Sequence, residues 1–123
     1  MQLDQVTDAE LSILQFLWEH GEASTREITV FLYQEVSGPK MSSAQKLIER
    51  LEGKGCVGRD RSKKRSHRFR ALANQDEFLR SRLQALADRV CDGTLVPLAT
   101  SLVRTKGLSR KEREELRKLI NEL

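Results

Sequence analysis

Four times in this 123-residue chain a capping residue stands three positions ahead of a glutamate and just before an apolar repeat. The words are Thr7-Asp8-Ala9-Glu10, Ser24-Thr25-Arg26-Glu27, Asn74-Gln75-Asp76-Glu77 and Ser109-Arg110-Lys111-Glu112. In such a word the first side chain accepts from an unpaired backbone N–H of the opening turn, and the glutamate reaches back to the cap. One match is weak; four, each leading into an apolar repeat, commit most of the chain to helices. The first helix is expected over Asp8–His20, with Leu11, Leu14, Phe16, Leu17 and Trp18 on a broad apolar side and Gly21 as its stop. The second is expected over Thr25–Glu35, burying Ile28, Phe31 and Leu32, after which Ser37-Gly38-Pro39 reads as a break. The third is expected over Ser42–Lys54. Its Ala44, Leu47, Ile48 and Leu51 form one inward stripe, closed by Gly53 and Gly55.

After Gly55 the period changes. Cys56–Arg59 and Ser66–Leu72 read as short strands, with Val57, Phe69 and Cys56 as candidates for the core. From Arg59 to Arg70 seven residues are Lys or Arg and only Asp60 is acidic, so this window carries +6 in a chain whose total is +4. The 55 residues before Cys56 carry −4, and Ala73 to Leu123 carry +2. Three helices followed by a basic two-stranded hairpin is the winged helix-turn-helix order. A basic strip beside the polar face of a third helix is a footprint for nucleic acid. Mean hydropathy of −0.53, 33% charged residues and 5% aromatics fit a globular, helix-rich protein. No apolar run approaches the ~18 residues of a membrane span. Met1-Gln2-Leu3-Asp4 begins no signal peptide, so a cytoplasmic location is expected. Cys56 and Cys91 are isolated and read as small buried hydrophobes, and neither they nor His20 and His67 have zinc-site spacing. No metal or cofactor is expected.

The remainder is organised differently. Over Gln75–Val90, Leu79, Leu83, Leu86 and Val90 form a seam suited to another helix. Cys91-Asp92-Gly93 breaks it. A further helix runs from Thr94 to about Arg104, with Pro97 tolerated in its first turn and Leu98, Leu102 and Val103 on its apolar side. The last, Arg110–Glu122, carries Leu116, Leu119 and Ile120, with Leu123 just beyond. Three short amphipathic helices in about 50 residues hardly close a core alone, because units below ~40–60 residues are marginal. They are expected to pack on a second copy, the alternative being the preceding domain. The expected fold is mainly α with a small β-hairpin: a winged helix-turn-helix domain over 1–73 and a helical dimerisation domain over 74–123.

The order and the local words resemble the penicillinase/methicillin-resistance repressor family, bacterial winged-helix repressors that include copper-responsive members. The resemblance is carried by Leu3 to Trp18, Ala23-Ser24-Thr25-Arg26-Glu27-Ile28 and Leu47 to Gly55. It continues in His67-Arg68-Phe69-Arg70, Asp92-Gly93-Thr94-Leu95 and the stretch through Gly107-Leu108-Ser109. It implies a homodimeric repressor that places its third helix in the major groove of a palindromic operator and dimerises through its C-terminal helices. Ser101-Leu102 stands where proteolytically inactivated members have Asn-Phe, so release by that route is in doubt and the inactivating protease or ligand stays unknown. No cysteine follows Cys91, which excludes the C-terminal copper cluster of the copper-responsive members. Ser42-Ser43-Ala44 replaces a common Thr-Thr-Val, so the operator need not be the family's usual one.

On DNA, the polar face of the third helix offers Ser42, Ser43, Gln45 and Lys46 as base readers and Arg50 as a phosphate contact. Arg61, Lys63, Lys64 and Arg65 are expected at the wing tip, on phosphate or in a neighbouring minor groove, and Arg26 beside the N-terminus of the second helix, on phosphate. Arg59, Arg68 and Arg70 depend on strand register. Dimer contacts are expected from Leu79, Leu83, Leu86, Val90, Leu98, Leu102, Leu116, Leu119 and Ile120. Ser43-Ala44-Gln45-Lys46 matches a Ser-x-x-Lys pattern of serine penicillin-recognising enzymes, but its Ser-Asp-Asn and Lys-Thr-Gly partners are missing and no enzyme is expected. The rival function is a winged-helix module whose basic wing binds an acidic protein.

Overall fold

The computed structural model describes residues 1–62, 67–105 and 107–123. A 3-10 turn, Leu3–Gln5, leads into α1 (Asp8–His20), β1 (Glu22–Ser24), α2 (Thr25–Tyr33) and α3 (Gly38–Gly53). There follow β2 (Val57–Asp60), β3 (Arg68–Ala71), α4 (Gln75–Val90), α5 (Val96–Arg104) and α6 (Arg110–Asn121). All four capping words act as caps. Thr7 and Ser109 close full capping boxes with Glu10 and Glu112. Ser24 accepts from the Glu27 amide, and Asn74 accepts from the Glu77 amide at 2.8 Å.

Three expectations need correction. The third helix starts at Gly38, four residues before Ser42, because Ser37 caps it by accepting from the Lys40 amide and Pro39 lies in its first turn. Proline there gives up an N–H that has no helical partner anyway, and its fixed φ suits the helix. The two-stranded hairpin forms, β2 antiparallel to β3, but it is extended to a three-stranded sheet of order β1-β3-β2. Its added strand, Glu22–Ser24, lies in the short link between α1 and α2 and pairs with Arg68–Arg70. Phe31, expected in the core, stays exposed and rests on the Phe16 ring at 4.6 Å between centroids. Two helix ends also shift: α2 stops at Tyr33, where Gln34 turns left-handed (φ 56°), and α5 starts at Val96.

Two compact units result, Met1–Arg82 and Leu83–Leu123. The core of the first joins Ile13, Leu14 and Leu17 of α1, Ile28 of α2 and Ile48 and Leu51 of α3 with Cys56, Val57 and Phe69 from the sheet side. Trp18 donates its indole N–H to the Ala73 carbonyl at 2.8 Å and its ring meets Phe78 of α4. One buried ion pair ties the start of α1 to the end of α3. Glu10 is fully buried and accepts from the Lys54 ammonium at 2.7 Å, while Thr7 donates its backbone N–H and its hydroxyl to the same carboxylate. Lys54 also donates to the Gln5 carbonyl at 2.7 Å. Burial alone would raise the Glu10 carboxyl, but the hydrogen bonds from Lys54 and Thr7 outweigh it and hold it below its ordinary value. In the second unit Ala87 is the one fully buried residue among those described.

Candidate nucleic-acid interface

Helix α3 has two unlike sides. Ala44, Ile48 and Leu51 are buried and Leu47 is half-buried, which follows from their i, i+4, i+7 spacing. Ser42, Ser43, Gln45, Lys46 and Arg50 are all exposed on the remaining surface. Two of these side chains are already oriented. The Ser43 hydroxyl donates to the Pro39 carbonyl at 3.1 Å, which leaves its oxygen lone pairs for a ligand. The Gln45 amide donates to the Glu49 carboxylate at 3.3 Å.

The early start of α3 adds Lys40 and Met41 to a surface that the sequence alone begins at Ser42. Lys40 stands over the Tyr33 ring at 4.9 Å, and Met41 shares a groove with Gln45. That groove, of about 520 Å³, is lined from α2 by Thr25, Arg26 and Glu27 and from the sheet side by Arg59, His67, Arg68 and Phe69. The exposed Arg26 sits in the first turn of α2, where backbone N–H groups lack helical partners. The structure thus brings Arg26 and Gln45, 19 positions apart in the chain, onto one concave surface. Within this groove the Nδ1 atom of His67 is buried and has no hydrogen-bond partner among the described residues. Serine-glycine-proline before Lys40 is the signal that marks the missed turn, since Ser at the cap with Pro in the first turn is a helix start.

Strand register settles the ambiguous arginines. Arg59 faces Phe69 across the sheet, and Asp60 faces Arg68. Arg59 lies over the Phe69 ring at 5.0 Å and donates to Glu52 of α3 at 2.7 Å. Its guanidinium is held even higher than usual, by the Glu52 hydrogen bond first and with the Glu49 charge adding to it. Arg68 binds Glu27 of α2 at 2.9 Å and Glu22 of β1 at 2.8 Å. Three carboxylates therefore offset half of the window's +6, and the positive field is carried by the other cations. Arg70 and Arg61 are exposed, and the Ser62 amide donates to Asp60 at the end of β2. Lys63, Lys64 and Arg65 lie outside the described residues.

Cys56 is buried, and burial pushes its thiol above the ordinary range, so it presents no reactive thiolate. Cys91 is half-buried. Of the nine apolar residues expected at a dimer contact, Leu98 and Leu116 are half-buried and the other seven are exposed. In the second unit α5 and α6 flank a depression of about 370 Å³ lined by Val103, Leu108, Leu116 and Ile120, with Arg113 and Arg117 at its edge. No helix among the described residues is long and apolar enough to cross a membrane.

The chain matches the penicillinase repressor family over residues 6–122. It is 25% identical over 123 residues to the penicillinase repressor of Bacillus licheniformis, covering 98% of this chain and 93% of that protein. To the penicillinase repressor of Staphylococcus aureus it is 24% identical over 121 residues, covering 97% and 93%. With a match of that extent, and six helices with a three-stranded sheet compatible with a winged helix, the chain belongs to the penicillinase repressor family, a family of DNA-binding transcriptional repressors and not of enzymes.

Proposed function

We propose that the chain is a homodimeric repressor that binds a palindromic operator through residues 1–73 and dimerises through residues 74–123. The observation that carries the reading is the two-sided α3: a buried apolar stripe fixes the helix, and a polar surface of Ser42, Gln45, Lys46 and Arg50 stands beside a groove that also holds the exposed Arg26. In the major groove Gln45 pairs with adenine and Lys46 with guanine, while Ser42 accepts or donates and Ser43 accepts at base edges. Arg50, Arg26, Arg61, Lys63, Lys64 and Arg65 bind phosphates, supplying affinity without reading sequence. Dimerisation is supported by exposed apolar side chains on each of α4, α5 and α6. Leu79, Leu83, Leu86 and Val90 are 42–71% exposed in the single chain, and Leu119 and Ile120 are 59% and 56% exposed. Covering such side chains is worth about 1.5–3 kcal/mol each when burial is complete.

A twofold dimer requires half-sites spaced by about one helical turn, ~10 bp, or a multiple of it. The test is a gel shift of the full chain on DNA upstream of its own and the neighbouring genes, with random duplex as competitor across a salt series, followed by footprinting. The expected result is a specific, salt-sensitive complex protecting two symmetric half-sites. Failure to discriminate any of these fragments from random duplex would reject operator binding and favour an acidic protein partner for the wing. Protection of one isolated half-site would reject the dimer.

A further inference from the structure

We propose that Glu49 is a positioning residue which makes Gln45 select adenine over guanine; the inference rests on the placement of α3 in the major groove proposed above. Residues 45 and 49 lie one turn apart on the same row of the helix surface, where side chains four apart are neighbours. Both are exposed, and the Gln45 Nε2 donates to the Glu49 Oε1 at 3.3 Å. A carboxylate can only accept, so the amide must turn its nitrogen and not its oxygen toward Glu49. That fixes which way round the amide stands.

The consequence follows from counting donors. A primary amide has two N–H donors and one carbonyl acceptor. Adenine presents N7 as acceptor and its N6 amino group as donor, so it needs one of each from glutamine; guanine presents two acceptors, N7 and O6. With one N–H held by Glu49, Gln45 keeps one donor and Oε1, which is the set adenine requires. The two-donor arrangement that guanine would demand is no longer available. The Glu49 carboxylate is also repelled by guanine O6, while Arg59, whose charge it feels, is bound to Glu52 at 2.7 Å and leaves Glu49 to its bond with Gln45. A negative charge on a DNA-facing helix, otherwise a cost to affinity, thus acts on base choice.

The test is in vitro selection from a random-sequence duplex library with the full-length protein and its Q45A, E49A and E49Q variants, followed by binding titrations on the selected duplex and its adenine-to-guanine substitution. The wild type is expected to favour adenine at one position per half-site by about tenfold or more, the scale of one bidentate contact. Q45A should lose that preference. E49A should select the same flanking bases but accept guanine to within about threefold of adenine, because the second amide donor is released. E49Q should retain most of the preference, since its carbonyl oxygen can take the same N–H. Thermal unfolding midpoints of the variants should match the wild type, which separates the effect from folding. If E49A keeps the full adenine preference, or instead loses a cytosine preference at a neighbouring position, Glu49 does not act through Gln45 and the proposal is overturned. If the wild type enriches no sequence, operator binding itself fails and this inference falls with it.

Discussion

Lys54→Met is the substitution whose cost the structure specifies most closely. Methionine keeps the length and apolar stem of the lysine, so the change removes the charge and little packing. It strands the Glu10 carboxylate, which is fully buried and loses its ammonium donor at 2.7 Å, keeping only the two bonds from Thr7. Removing one partner of a buried ion pair costs about 3–5 kcal/mol in general. Here protonation sets a ceiling. A carboxyl whose ordinary pKa is 4.5 can escape by binding a proton, at about 3 kcal/mol at pH 7, or 1.36 kcal/mol for each unit by which the pH exceeds that value. The expected loss at pH 7 is therefore about 2–3 kcal/mol, allowing for residual help from Thr7.

The sign of the pH dependence distinguishes this cause from weakened packing. In the wild type the folded-state pKa of Glu10 is depressed, so its stabilising contribution is present above the unfolded value and is lost as pH falls through the folded one. In Lys54→Met burial is unopposed by the ammonium and the folded-state pKa moves above the unfolded one, so the folded variant takes up a proton and gains stability as pH falls. The gap between the two proteins should thus shrink from pH 7 toward pH 5, by at most about 1.4 kcal/mol per unit. Urea unfolding read by fluorescence of Trp18, the sole tryptophan and part of the first unit, measures it directly. The double variant Glu10→Gln, Lys54→Met removes both charges and should be no less stable than the single at pH 7. A pH-independent gap, or a double variant whose losses simply add, would refute the reasoning.

Three further outcomes are expected. Ser37→Ala removes the cap on the Lys40 amide, and should lower stability by about 1 kcal/mol in the same urea assay while weakening DNA binding through a frayed first turn of α3. Replacing Lys63, Lys64 and Arg65 together by alanine should weaken specific and random DNA alike, and flatten the slope of log K against log salt by roughly 0.9 for each phosphate no longer neutralised; an unchanged slope would dismiss the wing as a phosphate clamp. Leu119→Glu with Ile120→Glu puts charges on the apolar row of α6, and sedimentation velocity should then report a monomer with Trp18 fluorescence unchanged, whereas a persistent dimer would exclude that helix from the contact.

What can be read from the chain divides along sequence distance. Caps and apolar stripes are written in neighbouring residues, so Thr7, Ser24, Asn74 and Ser109 announce their helices and Ala44, Leu47, Ile48 and Leu51 announce the inward side of α3. Ser37-Gly38-Pro39 misleads for a physical reason: proline ends one helix and opens the next with equal ease, and the local word does not say which. Strand β1 is three residues long, too short to show a period of two, and only its pairing with β3 defines it. The Glu10–Lys54 pair is invisible in sequence because a capping box already accounts for Glu10, and its partner lies 44 positions away. Charge is the instructive case. Counting residues places +6 in one window, yet counting does not know the register, and register alone decides which cations face carboxylates. A slip of one residue would exchange the faces of the strand. As folded, Arg59 ties β2 to α3, and Arg68 ties β3 to α2 and to β1. Arg26, Arg50 and Arg61 stay exposed, and the proposed phosphate contacts therefore fall on them and not on the two braced arginines.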